Sequence, residues 1–197
     1  MTQSYNTITK TSEGFYKEKG SKFLAFAYPV TSRDECKEAV DELKKKYHDA
    51  RHHCYAYSLG IGNAVDVRAN DDGEPNHSAG DPILGQIKSF GLTDVLVVVV
   101  RYFGGTKLGV SGLIQAYKAA AEEALSSAPI KTVKIKSDFS LIYSYDQTQQ
   151  VSRLMDQLKV EIVAQKFEEK CELKGRIEPD QLEMLKSKLS LSGLKVS

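Results

Sequence analysis

Apolar positions along the chain follow two periods. Phe23 to Val30 is a continuous apolar and aromatic run, which predicts a strand. Ser32 then starts a helix, with Glu35 three residues on as a capping box. Cys36, Ala39, Val40, Leu43 and Tyr47 recur at helical spacing, and Lys44, Lys45 and Lys46 form the wet side of its last turns. His53 to Leu59 and Val65 to Ala69 read as two strands around a Gly60–Asn63 turn. A polar loop over residues 70–80 leads to Asp81-Pro82, which reads as a helix start with Asp as cap and Pro at the first helical position. That helix runs to about Phe90 and stops at Gly91. Val95 to Val100 is apolar at every position, which predicts a strand buried on both faces. A glycine-rich stretch follows, and then an Ala-rich helix to about Ser127 carrying Leu113, Ala116, Tyr117, Ala120, Ala124 and Leu125.

Ser126-Ser127-Ala128-Pro129 is the expected boundary between an N-terminal α+β domain (1–130) and a small C-terminal domain (131–197). In the second part, Val133 to Tyr143 reads as one strand. Asp146 and Gln149 cap a helix with Val151, Leu154, Met155 and Leu158 on its apolar face. Val160–Phe167 and Lys170–Ile177 read as a hairpin, and Pro179 opens a last helix with Leu182, Leu185 and Leu189 on one side. The order βαββα, with or without a short final strand, is the ferredoxin-like split βαβ pattern. The fold class is therefore α+β.

Composition narrows the function classes. The 197 residues carry 27 basic and 26 acidic side chains, a net charge of +1. That excludes a polycation that coats nucleic acid by bulk charge and leaves room for a local basic site. Met1 to Lys10 is polar and mixed, so no secretory signal is expected, and the Val95–Val100 run is far too short to span a bilayer. Cys36, Cys54 and Cys171 are widely spaced, which predicts reduced thiols in a cytoplasmic protein.

The strongest chemical signal is Arg101-Tyr102-Phe103-Gly104-Gly105-Thr106-Lys107-Leu108-Gly109-Val110-Ser111, between the buried strand and the Ala-rich helix. Glycines let backbone amides approach an anion, and a helix N-terminus adds partial positive charge. Arg101 as the phosphate contact, Lys107 as its partner, amides from Gly104, Gly105 and Gly109, and Ser111 make up the candidate phosphate or nucleic-acid site. The stretch is not a P-loop, because Val110 stands where the lysine is required, and it contains no GxGxxG.

Asp71, Asp72 and Glu74 form an acidic loop near His77 and Ser78. Such carboxylates suit Mg²⁺ or Ca²⁺, but the spacing is not that of an EF-hand, and an ordered surface loop is the expectation. His48, His52, His53 and Cys54 lack zinc-site spacing, and adjacent strand residues face opposite sides. No GxSxG, HExxH or triad pattern occurs. The strand Cys171–Ile177 has no aromatic residue, which argues against RRM-type stacking, and Phe139, Tyr143 and Tyr145 read as core or edge residues.

Ala50-Arg51-His52-His53-Cys54-Tyr55-Ala56-Tyr57, Asp71-Asp72-Gly73-Glu74-Pro75, Ala79-Gly80-Asp81-Pro82-Ile83-Leu84 and Val99 to Gly109 resemble the motifs of the YigZ/IMPACT family, over roughly Gly14 to Ala128. The resemblance implies an N-terminal domain similar to the second domain of a small-subunit ribosomal protein and to a domain of the translocation elongation factor. It also implies a ferredoxin-like C-terminal domain like that factor's own. Eukaryotic relatives regulate translation initiation by binding an activator of a stress kinase through an RWD-type extension that these residues do not contain. Asn76-His77-Ser78 departs from the family's smaller pair plus Thr, though Ser78 keeps the hydroxyl. The expectation is a non-enzymatic protein, without catalytic residue, metal or cofactor, that binds RNA or the ribosome in the regulation of translation. Two alternatives stand beside it. One is an enzyme holding a metal on the acidic loop and a phosphorylated ligand on the glycine loop; the other is a protein-interaction regulator of a translation factor.

Overall fold

A computed structural model of the protein describes residues 4–190 and 194. The chain divides into two compact units, one from Tyr5 to Val133 and one from Lys134 onward that also takes in Ser4, so that β1 and β7 each extend one residue past the boundary. In chain order the first contains β1 (Ser4–Ile8), β2 (Ser12–Glu18), β3 (Ser21–Pro29), α1 (Arg33–Lys46), β4 (His52–Leu59), β5 (Asp66–Asn70), α2 (Gly80–Ser89), β6 (Val95–Tyr102), α3 (Gly109–Ser126) and β7 (Ile130–Lys134). Five strands form one antiparallel sheet in the order β2-β3-β6-β4-β5, and β1 pairs with β7.

The unbroken apolar run of β6 follows from its place in the middle of that sheet. Val95, Val97 and Val99 join the core formed with α2 and α3, while Leu96, Val98 and Val100 join the core under α1. Six consecutive residues at 0% exposure leave no polar side of the strand. Small residues let α3 sit against β2. A Cβ on Gly14 would stand 2.4 Å from the Ala124 nitrogen, and the Ser12 hydroxyl donates to the Ala124 carbonyl at 2.7 Å.

Two helix starts differ from expectation. At α1 the Ser32 hydroxyl accepts the Glu35 N–H at 3.2 Å, but the Glu35 carboxylate accepts from the Thr31 N–H at 2.6 Å. The reciprocal arm of the box thus lands one residue early. At α2 the helix begins at Gly80, and Asp81 lies inside it without capping. Its cap comes from across the loop, as described below.

The second unit holds β8 (Ser137–Tyr143), α4 (Thr148–Gln157), β9 (Glu161–Phe167), β10 (Cys171–Ile177) and α5 (Pro179–Ser190), with an antiparallel sheet β8-β10-β9. This is the strand order of a split βαβ unit. Cys171, Leu173 and Ile177 point into the core with Leu185 and Leu189, as the alternation in β10 requires. The single strand expected over Val133–Tyr143 is two strands: β7 pairs with β1 and β8 with β10, so the run breaks between its two partners. The caps expected at Asp146 and Gln149 are supplied instead by Ser144 and Gln147, whose side chains close a capping box on a short 3₁₀ turn ahead of α4. The short final strand falls among residues outside the described ones.

Candidate functional site

The sheet register sets His52 of β4 opposite Arg101 of β6, both on the face that carries α2 and α3. Arg101 is 7% exposed, and a buried cation needs a partner. Glu74, 8% exposed, supplies it, with its Oε1 2.5 Å from the Arg101 Nη1. The Tyr117 hydroxyl donates to the same oxygen at 2.8 Å, and the Cys54 thiol lies 3.3 Å from that hydroxyl and 3.0 Å from the Asp71 carbonyl oxygen. Burial pushes the Cys54 thiol and the Tyr117 hydroxyl far above their ordinary pKa ranges, so both act in this network as neutral donors. The guanidinium also lies 5.5 Å from the Phe23 ring centre and 5.8 Å from that of Phe103.

The three acids of the loop point to three different tasks. Asp71 caps α2: its Oδ1 accepts the Ala79 and Gly80 N–H groups at 2.9 and 2.8 Å, and its Oδ2 accepts that of His77 at 2.9 Å. Asp72 accepts the His53 N–H at 2.7 Å and lies 3.3 Å from Lys44 Nζ. Glu74 neutralises Arg101. Asp72 at φ +40° and Gly73 at φ +86° make the tight turn that lets neighbouring acids diverge. Among the described residues no group of three or more His, Cys, Asp or Glu is placed to hold a metal ion.

Partial burial alone would raise the Asp71 carboxyl, but the three N–H donors outweigh it and hold the group below its ordinary 3.8. Such a carboxyl stabilises the fold above its unfolded pKa and loses that contribution as pH falls through its folded one. Asp71→Ala is therefore expected to cost about 1–2 kcal/mol at pH 7, as loss of a cap does. Urea unfolding of both proteins should show the gap closing progressively as the pH is taken below 3.8. A gap that stays constant from pH 7 to pH 2, or is absent at pH 7, contradicts the capping role.

The glycine-rich stretch separates into parts with different fates. Gly104 is packed on the β2–β3 turn, and its N–H donates to the Ser21 hydroxyl at 3.1 Å. Gly105 and Gly109 are exposed at positive φ. Gly109 opens α3, whose preceding residue Leu108 makes no side-chain cap, so the first-turn amides lack intrahelical acceptors. Beside them is a cleft of about 500 Å³ lined by Arg51, His52, Arg101, Phe103, Lys107 and Val110, among others. Arg101, Lys107 and Gly109 meet there. Gly104 and Gly105 do not line it, and Ser111 borders a separate depression with Tyr16 and Lys19. Arg51, His52 and Phe103 lie within the motifs quoted above but were not among the expected site residues. Their signal was the Arg51-His52 pair at the start of β4, which acquires meaning only through the β4–β6 register.

Similarity to known proteins places this geometry in a family. The Impact N-terminal domain matches residues 19–125, more than half of the chain and including both the loop and the cleft. An IMPACT family member of Haemophilus influenzae is 30% identical over 185 residues, covering 93% of this chain and 90% of that protein. The Bacillus subtilis IMPACT family member YvyE is 39% identical over 126 residues, which are 64% of this chain and 58% of that one. A solved crystal structure of a hypothetical protein has a TM-score of 0.75 at 25% identity, covering 100% of this chain and 97% of its own. No helix of the described residues is long and apolar enough to cross a membrane. The domain match and the near full-length relative show that the chain belongs to the YigZ/IMPACT family.

Proposed function

We propose that the cleft binds a phosphate of single-stranded RNA, and that the protein acts on RNA or the ribosome in the regulation of translation. The carrying observation is the charge left over in the cleft. Arg101 is cancelled by Glu74, whereas Arg51 and Lys107 are exposed and have no acid partner among the described residues. Two free cations thus border the uncapped amides of α3, where an anion is stabilised by both. Phe103, 57% exposed at the rim, offers a face on which an unpaired base stacks. Arg101 in this reading stands behind the contacts and holds the acidic loop in place. Family membership supports translation as the setting, since the folds that the resemblance implies are those of translation proteins.

Fluorescence anisotropy with short single-stranded RNAs of differing sequence tests the proposal. Lys107→Ala and Arg51→Ala are each expected to weaken binding several-fold and by the same factor for every sequence, as loss of a phosphate contact does. Unchanged affinity in both variants overturns it.

A further inference from the structure

His52 carries information that the phosphate contacts do not. Its Nδ1 lies 2.9 Å from the Asp72 carbonyl oxygen. A carbonyl oxygen only accepts, so Nδ1 carries the proton and the neutral ring presents Nε2 as an acceptor. The Asp72-Gly73 turn backs the ring closely: a Cβ on Gly73 would stand 3.5 Å from Nδ1. The ring's orientation and tautomer are thus set by the same loop that supplies Glu74. Nε2 has no protein partner among the described residues and is not sealed off from solvent.

The cationic and amide groups of the cleft are donors, namely Arg51, Lys107, the unpartnered Arg101 Nε and the first amides of α3. Glu74 also lines it: its Oε1 already receives Arg101 and Tyr117, and its Oε2, which receives no hydrogen bond among the described residues, is a second acceptor that the His52 variants below distinguish from Nε2. A phosphodiester offers acceptors alone and satisfies those donors while leaving Nε2 unmatched. A ribose 2′-hydroxyl next to that phosphate supplies the missing donor, and it is the group by which a protein tells RNA from DNA. We propose that His52 is a specificity-determining residue: its Nε2 accepts a hydrogen bond from the 2′-hydroxyl of the nucleotide in the cleft, so the site prefers RNA over DNA. This rests on the phosphate reading of the same cleft.

Three oligonucleotides of one sequence separate the two ideas: RNA, DNA and 2′-O-methyl RNA, which keeps the ribose but lacks the donor. At fixed low salt the native protein should bind RNA about five- to tenfold tighter than either of the others, the size of one net hydrogen bond. His52→Phe should bring RNA down to the DNA level and leave DNA affinity unchanged. His52→Gln restores an amide oxygen near the place of Nε2 and should keep part of the preference. Equal binding of all three, still weakened by Lys107→Ala, overturns the role of His52 and leaves the phosphate site standing. The role of His52 is equally overturned if 2′-O-methyl RNA binds as tightly as RNA, or if His52→Phe keeps the full preference. Binding of none of the three overturns both readings.

Discussion

Arg101→Ala is expected to destabilise the first unit by about 3–5 kcal/mol, the range for breaking a buried ion pair by removing one partner. The substitution leaves Glu74, 8% exposed, with only the Tyr117 hydroxyl for company. It also removes the cation that packs against Phe23 and Phe103. The loss therefore exceeds that of an exposed pair such as Arg33–Asp66, whose members return to water when the pair is broken. Replacing both members, Glu74→Leu with Arg101→Met, should recover most of the deficit, because two apolar groups need no partner. Urea unfolding of the single and double variants measures this. A single variant within about 1 kcal/mol of the native protein would show that the pair is not the structural tie it is taken for here. A practical consequence follows for binding studies. Loss of RNA affinity in Arg101→Ala reports on folding, so Arg51 and Lys107 are the informative positions.

Gly104→Ala is expected to cost about 3 kcal/mol, the upper end for overpacking. The added Cβ would lie 1.9 Å from the Gly20 carbonyl carbon and 2.1 Å from the Ser21 nitrogen. Both are backbone atoms of a turn and have no rotamer to move into. Gly105→Ala is the internal control. It sits at φ +89° with open space around its Cβ, so only the left-handed backbone penalty of about 1–2 kcal/mol applies. Thermal unfolding should rank Gly104→Ala well below Gly105→Ala. The reverse order would contradict close approach to the β2–β3 turn as the reason for glycine at 104.

Features set by neighbours in sequence were legible before the structure. The run Val95–Val100 had one physical solution, a strand between two layers, and β6 is that strand. The alternation in Cys171–Ile177 and the apolar stripe of α4 carried their own burial pattern. Features set by distant partners were not legible. Arg101 looked like a free cation beside glycines, and its charge is settled by Glu74, 27 positions away. Gly104 and Gly105 are identical letters, and only the arrival of the β2–β3 turn makes one a packing contact and leaves the other open. The cap of α2 looked local because Asp81-Pro82 fits the rule, yet Asp71 reaches the amides first. The acidic loop looked like a cluster because its members are close in sequence; its turn geometry sends each carboxylate to a different donor.

The salt dependence of RNA affinity for the native protein and for an Arg51→Ala/Lys107→Ala double variant tests the cleft most directly. With two phosphate contacts the native slope of log affinity against log salt should be shallow, about −1.4 for a single strand. The double variant, shown folded by an unchanged unfolding midpoint, should bind more weakly with a slope near zero. Equal slopes and equal affinities for the two proteins would contradict the assignment of these cations to a phosphate.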